Sequence, residues 1–106
     1  MILRGQPSAY EASVARQAAG IVLREFGDVA AGIGELQRAL HLARRTGSVT
    51  READVLASLA VALVYGGRTA AGLSAFDRAL RLSKGMQTGQ VLHRRSIRHT
   101  HRTPAL

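Results

Sequence analysis

With 106 residues and a net charge of +8, the chain holds one domain at most, and roughly 60–65% of its unfolded surface can be buried on folding, enough for one thin core. Hydrophobic residues make up 46%, yet there are two Phe, two Tyr and no Trp, so the core must be built from Ala, Leu, Val and Ile. The absence of Cys excludes a disulfide framework and thiolate chemistry and suits a reducing compartment, for which the cytoplasm is the expectation.

Charge is unevenly placed. Residues 1–83 carry ten Arg against seven acids, whereas residues 84–106 carry Lys84, Arg94, Arg95, Arg98 and Arg102 and no acid. Met1-Ile2-Leu3 is apolar but meets Arg4, Gly5 and Pro7. It therefore forms neither a secretory apolar region nor the ~18-residue run of a membrane span.

In chain order, residues 1–8 form a leader, and Ser8 with Glu11 has capping-box spacing just after Pro7, which predicts a helix opening near Ala9. From there Val14, Ala15, Ala18, Ala19, Val22, Leu23 and Phe26 recur at steps of three and four, predicting the buried face of that helix. Gly27-Asp28 ends it and caps a second helix, whose periodic residues are Ala31, Ile33, Leu36, Ala39, Leu40 and Ala43. Thr46-Gly47-Ser48 closes this first hairpin, over residues 9–46. A third helix begins at Thr50, with Val55, Leu56, Leu59, Ala62 and Leu63 as its buried stripe. Gly66-Gly67 ends it, and Ala71, Leu73, Phe76, Ala79, Leu80 and Leu82 carry a fourth helix to about Lys84, giving a second hairpin over residues 50–84. The rest, 85–106, predicts either a basic tail or a partial third unit with a helix from Gln90 to about His101.

The two hairpins repeat each other. Residues 30–42 read AAGIGELQRALHL and residues 70–82 read AAGLSAFDRALRL; across 27–42 and 67–82, eight of sixteen positions are identical at a shift of forty. Two helices per period predict a solenoid, in which each hairpin buries its apolar faces against a neighbour. The pattern resembles the tetratricopeptide repeat family, with Gly20 and Ala60 on the first helices where the hairpins cross. Gly27-Asp28 and Gly67-Arg68 match at the turns, Ala39 and Ala79 on the second helices, and Leu36 and Phe76 at the large apolar position. The resemblance covers about residues 11–84. Gly32 and Gly72 replace the usual Ala, no Pro follows either second helix, and the period exceeds the common one of about thirty-four residues. The longer spacing is similar to extended repeats in bacterial regulators and in arrays that precede CHAT-type protease domains. The resemblance implies an all-α, right-handed solenoid of about two and a half units, acting as a non-catalytic module that holds a peptide or partner helix in a concave groove. By position, the groove would be lined chiefly by Gln17, Ile21 and Arg24 on the first helix and by Asp54, Val61, Val64 and Tyr65 on the third.

No residue set predicts catalysis or a cofactor. Cys, GxGxxG, GxxxxGK[ST] and HExxH are all missing, and His93, His99 and His101 have no acid or Cys nearby to complete a metal site. An enzyme is not expected, nor a metal. The alternative functions are a basic adaptor that binds nucleic acid weakly and nonspecifically through Arg94, Arg95, Arg98 and Arg102, or a fragment of a longer array attached to an effector domain. Self-association through the uncovered end faces is a further expectation, because two and a fraction units fall short of the roughly three that solenoids need. The apolar residues Val91, Leu92 and Ile97 form too small a face for membrane insertion.

Overall fold

Three helix starts follow from short side chains that satisfy orphan backbone donors. Ser8 Oγ accepts from the Glu11 backbone N–H at 3.1 Å, Asp28 Oδ1 from that of Ala31 at 3.2 Å, and Ser48 Oγ from that of Arg51 at 3.1 Å. In the computed structural model, which describes residues 8–102 and the side chains of 8–86, these caps open α1 (Ala9–Glu25), α2 (Val29–Thr46) and α3 (Val49–Tyr65). The fourth helix is α4 (Thr69–Arg102). The described residues are all-α, with no strand. Of the expected leader, only Ser8 lies within them.

The turn after α1 and the turn after α3 are the same turn. Gly27 and Gly67 both take the left-handed conformation, with φ of 91° and 81°, which costs a residue without Cβ little. The Asp28 N–H donates to Leu23 O at 2.9 Å and the Arg68 N–H to Leu63 O at 2.8 Å, each forty residues from its counterpart. The turn between the hairpins is different and uses Gly47 at φ 73° as the C-cap of α2.

Antiparallel α1 and α2 pack as one hairpin and α3 and α4 as another, while α3 also packs on α2 and touches α1. Among the described residues α4 touches neither α1 nor α2. The core gathers Leu36, Ala39 and Ala43 of α2 with Val55, Ala60 and Ala62 of α3, all fully buried. Small residues let the helices cross closely: a Cβ on Gly32 would lie 2.8 Å from the Gly20 carbonyl oxygen, and one on Gly72 would lie 2.6 Å from Val64 Cγ2.

One expected face is reversed, a second is buried only in part, and one expected break is absent. On α1 the buried residues are Ser13, Gln17 and Gly20, while Val14, Val22 and Phe26 are exposed. Backbone approach at Gly20 and two polar contacts turn the small and polar face inward, and the apolar stripe stays exposed among the described residues. On α4 the expected Ala79 is buried beside Ala75, and Ala71 and Leu82 pack against the core, while Leu73, Phe76 and Leu80 are exposed. Instead of ending near Lys84, α4 runs on to Arg102 without a turn. Between Lys84 and Arg102 there is no Pro, and Gly85 and Gly89 cost only about 1 kcal/mol each in a helix that is already nucleated. At 1.5 Å per residue its 34 residues span about 51 Å. It passes the start of α3 where Thr50 Oγ1 meets Met86 Sδ at 3.3 Å.

Candidate functional site

Three side-chain pairs join α1 to α3, each between residues forty-one apart, and one weaker bond reaches the α3 backbone. The Arg51 guanidinium lies over the Tyr10 ring, 5.8 Å from its centroid. Gln17 Nε2 donates to Ser58 Oγ at 2.9 Å and more weakly to the Asp54 backbone oxygen at 3.5 Å. The Arg24 guanidinium lies over the Tyr65 ring, 5.6 Å from its centroid. On each helix the participants are seven residues apart, close to two full turns, so they form one stripe. The constant offset makes α1 and α3 parallel neighbours in fixed register.

Electrostatics reinforce the two ends of this seam. Arg51 is buried, and its terminal nitrogen pairs with Asp54 Oδ2 at 3.1 Å. Arg24 pairs with Glu25 Oε1 at 2.9 Å, with its own side chain 12% exposed and the Glu25 side chain 63% exposed. The Nε of each of these two arginines is buried without a hydrogen-bond partner among the described residues. A buried unsatisfied donor costs ~1–3 kcal/mol. The ring contact and the carboxylate offset part of this cost and hold each guanidinium in place.

The expected groove residues separate into three groups. Arg24 and Tyr65 meet in one surface contact, and Tyr65 is 67% exposed. Ile21 and Val61 are half-buried and flank the seam. Gln17 is buried with its amide already bonded to α3, so it fastens the helices together and has no donor turned to a ligand. The side chain of Val64 turns toward the α3–α4 crossing at Gly72, and the Asp54 carboxylate is engaged by Arg51. Tyr10, Arg51 and Ser58 belong to the same surface and carry no apolar periodicity that would have marked them. The signal available in the sequence is the matched heptad spacing of positions 10, 17, 24 and 51, 58, 65.

Concavities lie elsewhere on the surface. One, of about 610 Å³, sits between the two hairpin turns and is lined by Asp28, Val29, Ile33, Gly66 and Arg68. Another, of about 480 Å³ and mostly apolar, opens on the far side of α3 and α4 between Ala53, Ala57, Phe76 and Leu80. Among the described residues no three His, Cys, Asp or Glu converge as metal ligands, and no helix is long and apolar enough to cross a membrane. The side chains of Arg94, Arg95, Arg98 and Arg102 lie outside the described ones; the backbone there is helical.

The chain matches no family model, and neither the curated proteins nor the solved structures contain a significant match to it.

Proposed function

We propose that this chain is a non-catalytic protein-interaction module, a short right-handed solenoid of tetratricopeptide-like hairpins that binds a peptide or a partner helix along the surface shared by α1 and α3. The observation that carries this reading is the seam: three contacts at one offset set two equivalent helices side by side, as a repeated stacking operation requires. The duplicated turns at Gly27 and Gly67 support the same operation. Along the seam, Ile21 and Val61 offer a half-buried apolar floor, and exposed Tyr65 provides an aromatic anchor already oriented by Arg24. A rigid aromatic beside an apolar strip suits an apolar segment of a partner.

A second reading has one observation behind it. Residues 85–102 continue a regular helix, and Arg94, Arg98 and Arg102 recur along it at steps of four. Such a cationic helix would attract phosphates with strong salt dependence.

Pull-down from the native cell with wild-type and Tyr65→Ala protein, at low and high salt, separates the two. A partner lost with Tyr65→Ala at both salts supports the seam surface. A partner indifferent to that substitution but lost at high salt supports the basic helix. A partner retained under all conditions overturns both.

A further inference from the structure

The mostly apolar cleft between α3 and α4 has a counterpart inside the chain that is already filled. Its lining residues Ala53, Ala57, Phe76, Ala79, Leu80 and Ser83 stand forty residues beyond Ser13, Gln17, Leu36, Ala39, Leu40 and Ala43. All six of the earlier residues are buried, because α3 packs over the α1–α2 hairpin there. In the second hairpin Ala53 and Ala79 are still buried, but the large apolar equivalents are left uncovered, Phe76 at 37% exposure and Leu80 at 57%, and Leu73, the counterpart of buried Ile33, is at 60%. What fits this cleft is a helix that presents the face α3 presents to α2.

The helix with that face is α1. On α3 the face toward α2 includes Val55, Leu59 and Ala62, all buried, and Gly66, beside Ile33 and Val29. Forty residues earlier these positions are Ala15, Ala19, Val22 and Phe26, the apolar stripe of α1 that the chain leaves exposed, with Val22 at 52% and Phe26 at 86%.

We infer that copies of this chain associate head to tail, the Ala15/Ala19/Val22/Phe26 face of α1 in one copy docking on the Leu73/Phe76/Leu80 face of α4 in the next. The junction between copies thereby repeats the junction between hairpins. The sequence has adjusted both sides of it. Within the chain, the seam bond joins Gln17 to Ser58; the equivalent pair between copies is Ala57 with Ala18, so donor and acceptor are replaced together and neither is left unpaired on burial. Charge follows the same pattern. Arg44 pairs with Glu52 at 3.3 Å across the internal junction; Lys84 occupies the equivalent position on α4, and Glu11 lies in the first turn of α1, one residue from the counterpart of Glu52. At one end the copies must sit further apart, since Phe26 replaces Gly66, where a Cβ would already be 3.2 Å from Ile33 Cδ1. The ring there covers Leu73.

Because the two faces differ, the contact is heterologous and extends without closing as a two-fold dimer would. This inference does not depend on the partner surface proposed above, and purified protein alone tests it. In sedimentation velocity, the mean mass of the wild type is expected to rise continuously with concentration. Val22→Glu and Leu80→Glu, each placing a charge on one of the two exposed faces, are each expected to weaken association roughly a hundredfold or more. Mixed in equal amounts, they retain one intact face each and should form a dimer and nothing larger. Circular dichroism checks that both variants keep their helices; Leu73→Lys replaces Leu80→Glu as the reporter of the α4 face should the latter lose them. A wild type that stays monomeric into the millimolar range overturns the inference and leaves the cleft to a different chain. A Val22→Glu variant that still self-associates overturns it too, because that result means α4 faces pair with each other.

Discussion

Arg24 of α1 lies over the ring of Tyr65 of α3, and at the other end of the same seam the roles are exchanged, with Arg51 of α3 over Tyr10 of α1. Aromatic and cation thus alternate between two parallel helices that otherwise touch through small and polar side chains. Each arginine also pairs with a carboxylate of its own helix, Glu25 at one end and Asp54 at the other. The seam fixes the register of the second hairpin on the first, and the same register places Tyr65 at the surface.

The seam should therefore respond unequally to loss of its two rings. Cation–π contacts contribute ~0.5–1 kcal/mol at exposed sites and ~2 kcal/mol when desolvated. Tyr65 is largely exposed, so Tyr65→Ala is expected to cost at most about 1 kcal/mol of folding stability while lowering partner affinity at least ~30-fold. Tyr10→Ala bares the more deeply buried Arg51 and should cost more, ~1–2 kcal/mol. Urea titrations of the two variants give the comparison, and a Tyr65→Ala variant less stable than Tyr10→Ala contradicts it.

Much of this was legible in the sequence, and the part that was not has a common cause. The stripes of α2 and α3 could be read directly, because Leu36, Ala39, Ala43, Val55, Leu59 and Leu63 are apolar, periodic and covered on both sides. On α1 periodicity identified an apolar face but misjudged its burial, and on α4 it did so for Leu73, Phe76 and Leu80 while Ala71, Ala79 and Leu82 do pack on the core; a terminal helix of a stack has a neighbour on one side only. The face that α1 does bury, Ser13, Gln17 and Gly20, was hidden because backbone proximity and hydrogen bonding select it: Ser13 Oγ donates to the Ala39 carbonyl at 3.0 Å. The continuation of α4 was missed because composition marked a change at Lys84 where the backbone needed none. Among the candidate site residues, Tyr65 and Arg24 were readable from position, whereas Tyr10 and Arg51 emerge only when the offset of forty-one is known.

Salt should act on self-association in the direction opposite to its effect on any nucleic-acid contact. Copies carrying a net charge of +8 repel one another, and screening that repulsion shortens its range to about 8 Å at physiological ionic strength. The proposed junction is mainly apolar, and an exposed Lys84–Glu11 pair adds little to it, ~0–1 kcal/mol. Raising salt is therefore expected to increase the mass measured by sedimentation. A fall in mass with salt would assign the contact to ionic groups instead of Leu73, Phe76 and Leu80.

Removing residues 87–106 should separate packing from charge. Within α4 the buried residues Ala75 and Ala79 precede Met86, where the helix passes the start of α3. The two hairpins are expected to survive the truncation with helical content per residue unchanged or higher. Retention on a polyanion such as heparin should fall to background, as Arg94, Arg95, Arg98 and Arg102 are removed. An unfolded truncated chain would show that the last part of α4 is an integral layer of the fold.

Two glycines separated by a single residue on α2 should respond to the same substitution with opposite signs. In a helix Ala is favoured over Gly by about 1 kcal/mol, so any Gly→Ala change gains unless its methyl group meets an obstacle. At Gly34 the nearest atom to the new Cβ is the Arg38 terminal nitrogen at 3.6 Å, an ordinary contact at the end of a mobile side chain. Gly34→Ala is expected to stabilise the protein by ~0.5–1 kcal/mol, which for a domain of this size raises Tm by roughly 2–8 °C. At Gly32 the Cβ would lie 2.8 Å from the Gly20 carbonyl oxygen and 3.2 Å from the Arg24 backbone nitrogen. Both obstacles are main chain, so the α1–α2 crossing has to open, at a cost of ~1–3 kcal/mol that outweighs the propensity gain. Because the Arg24 backbone itself borders that crossing, an opened α1 also draws its guanidinium away from Tyr65. Gly32→Ala should lower Tm and weaken partner binding together, while Gly34→Ala raises Tm and leaves binding unchanged; equal shifts from the two substitutions would mean that the close crossing does not hold the hairpin together.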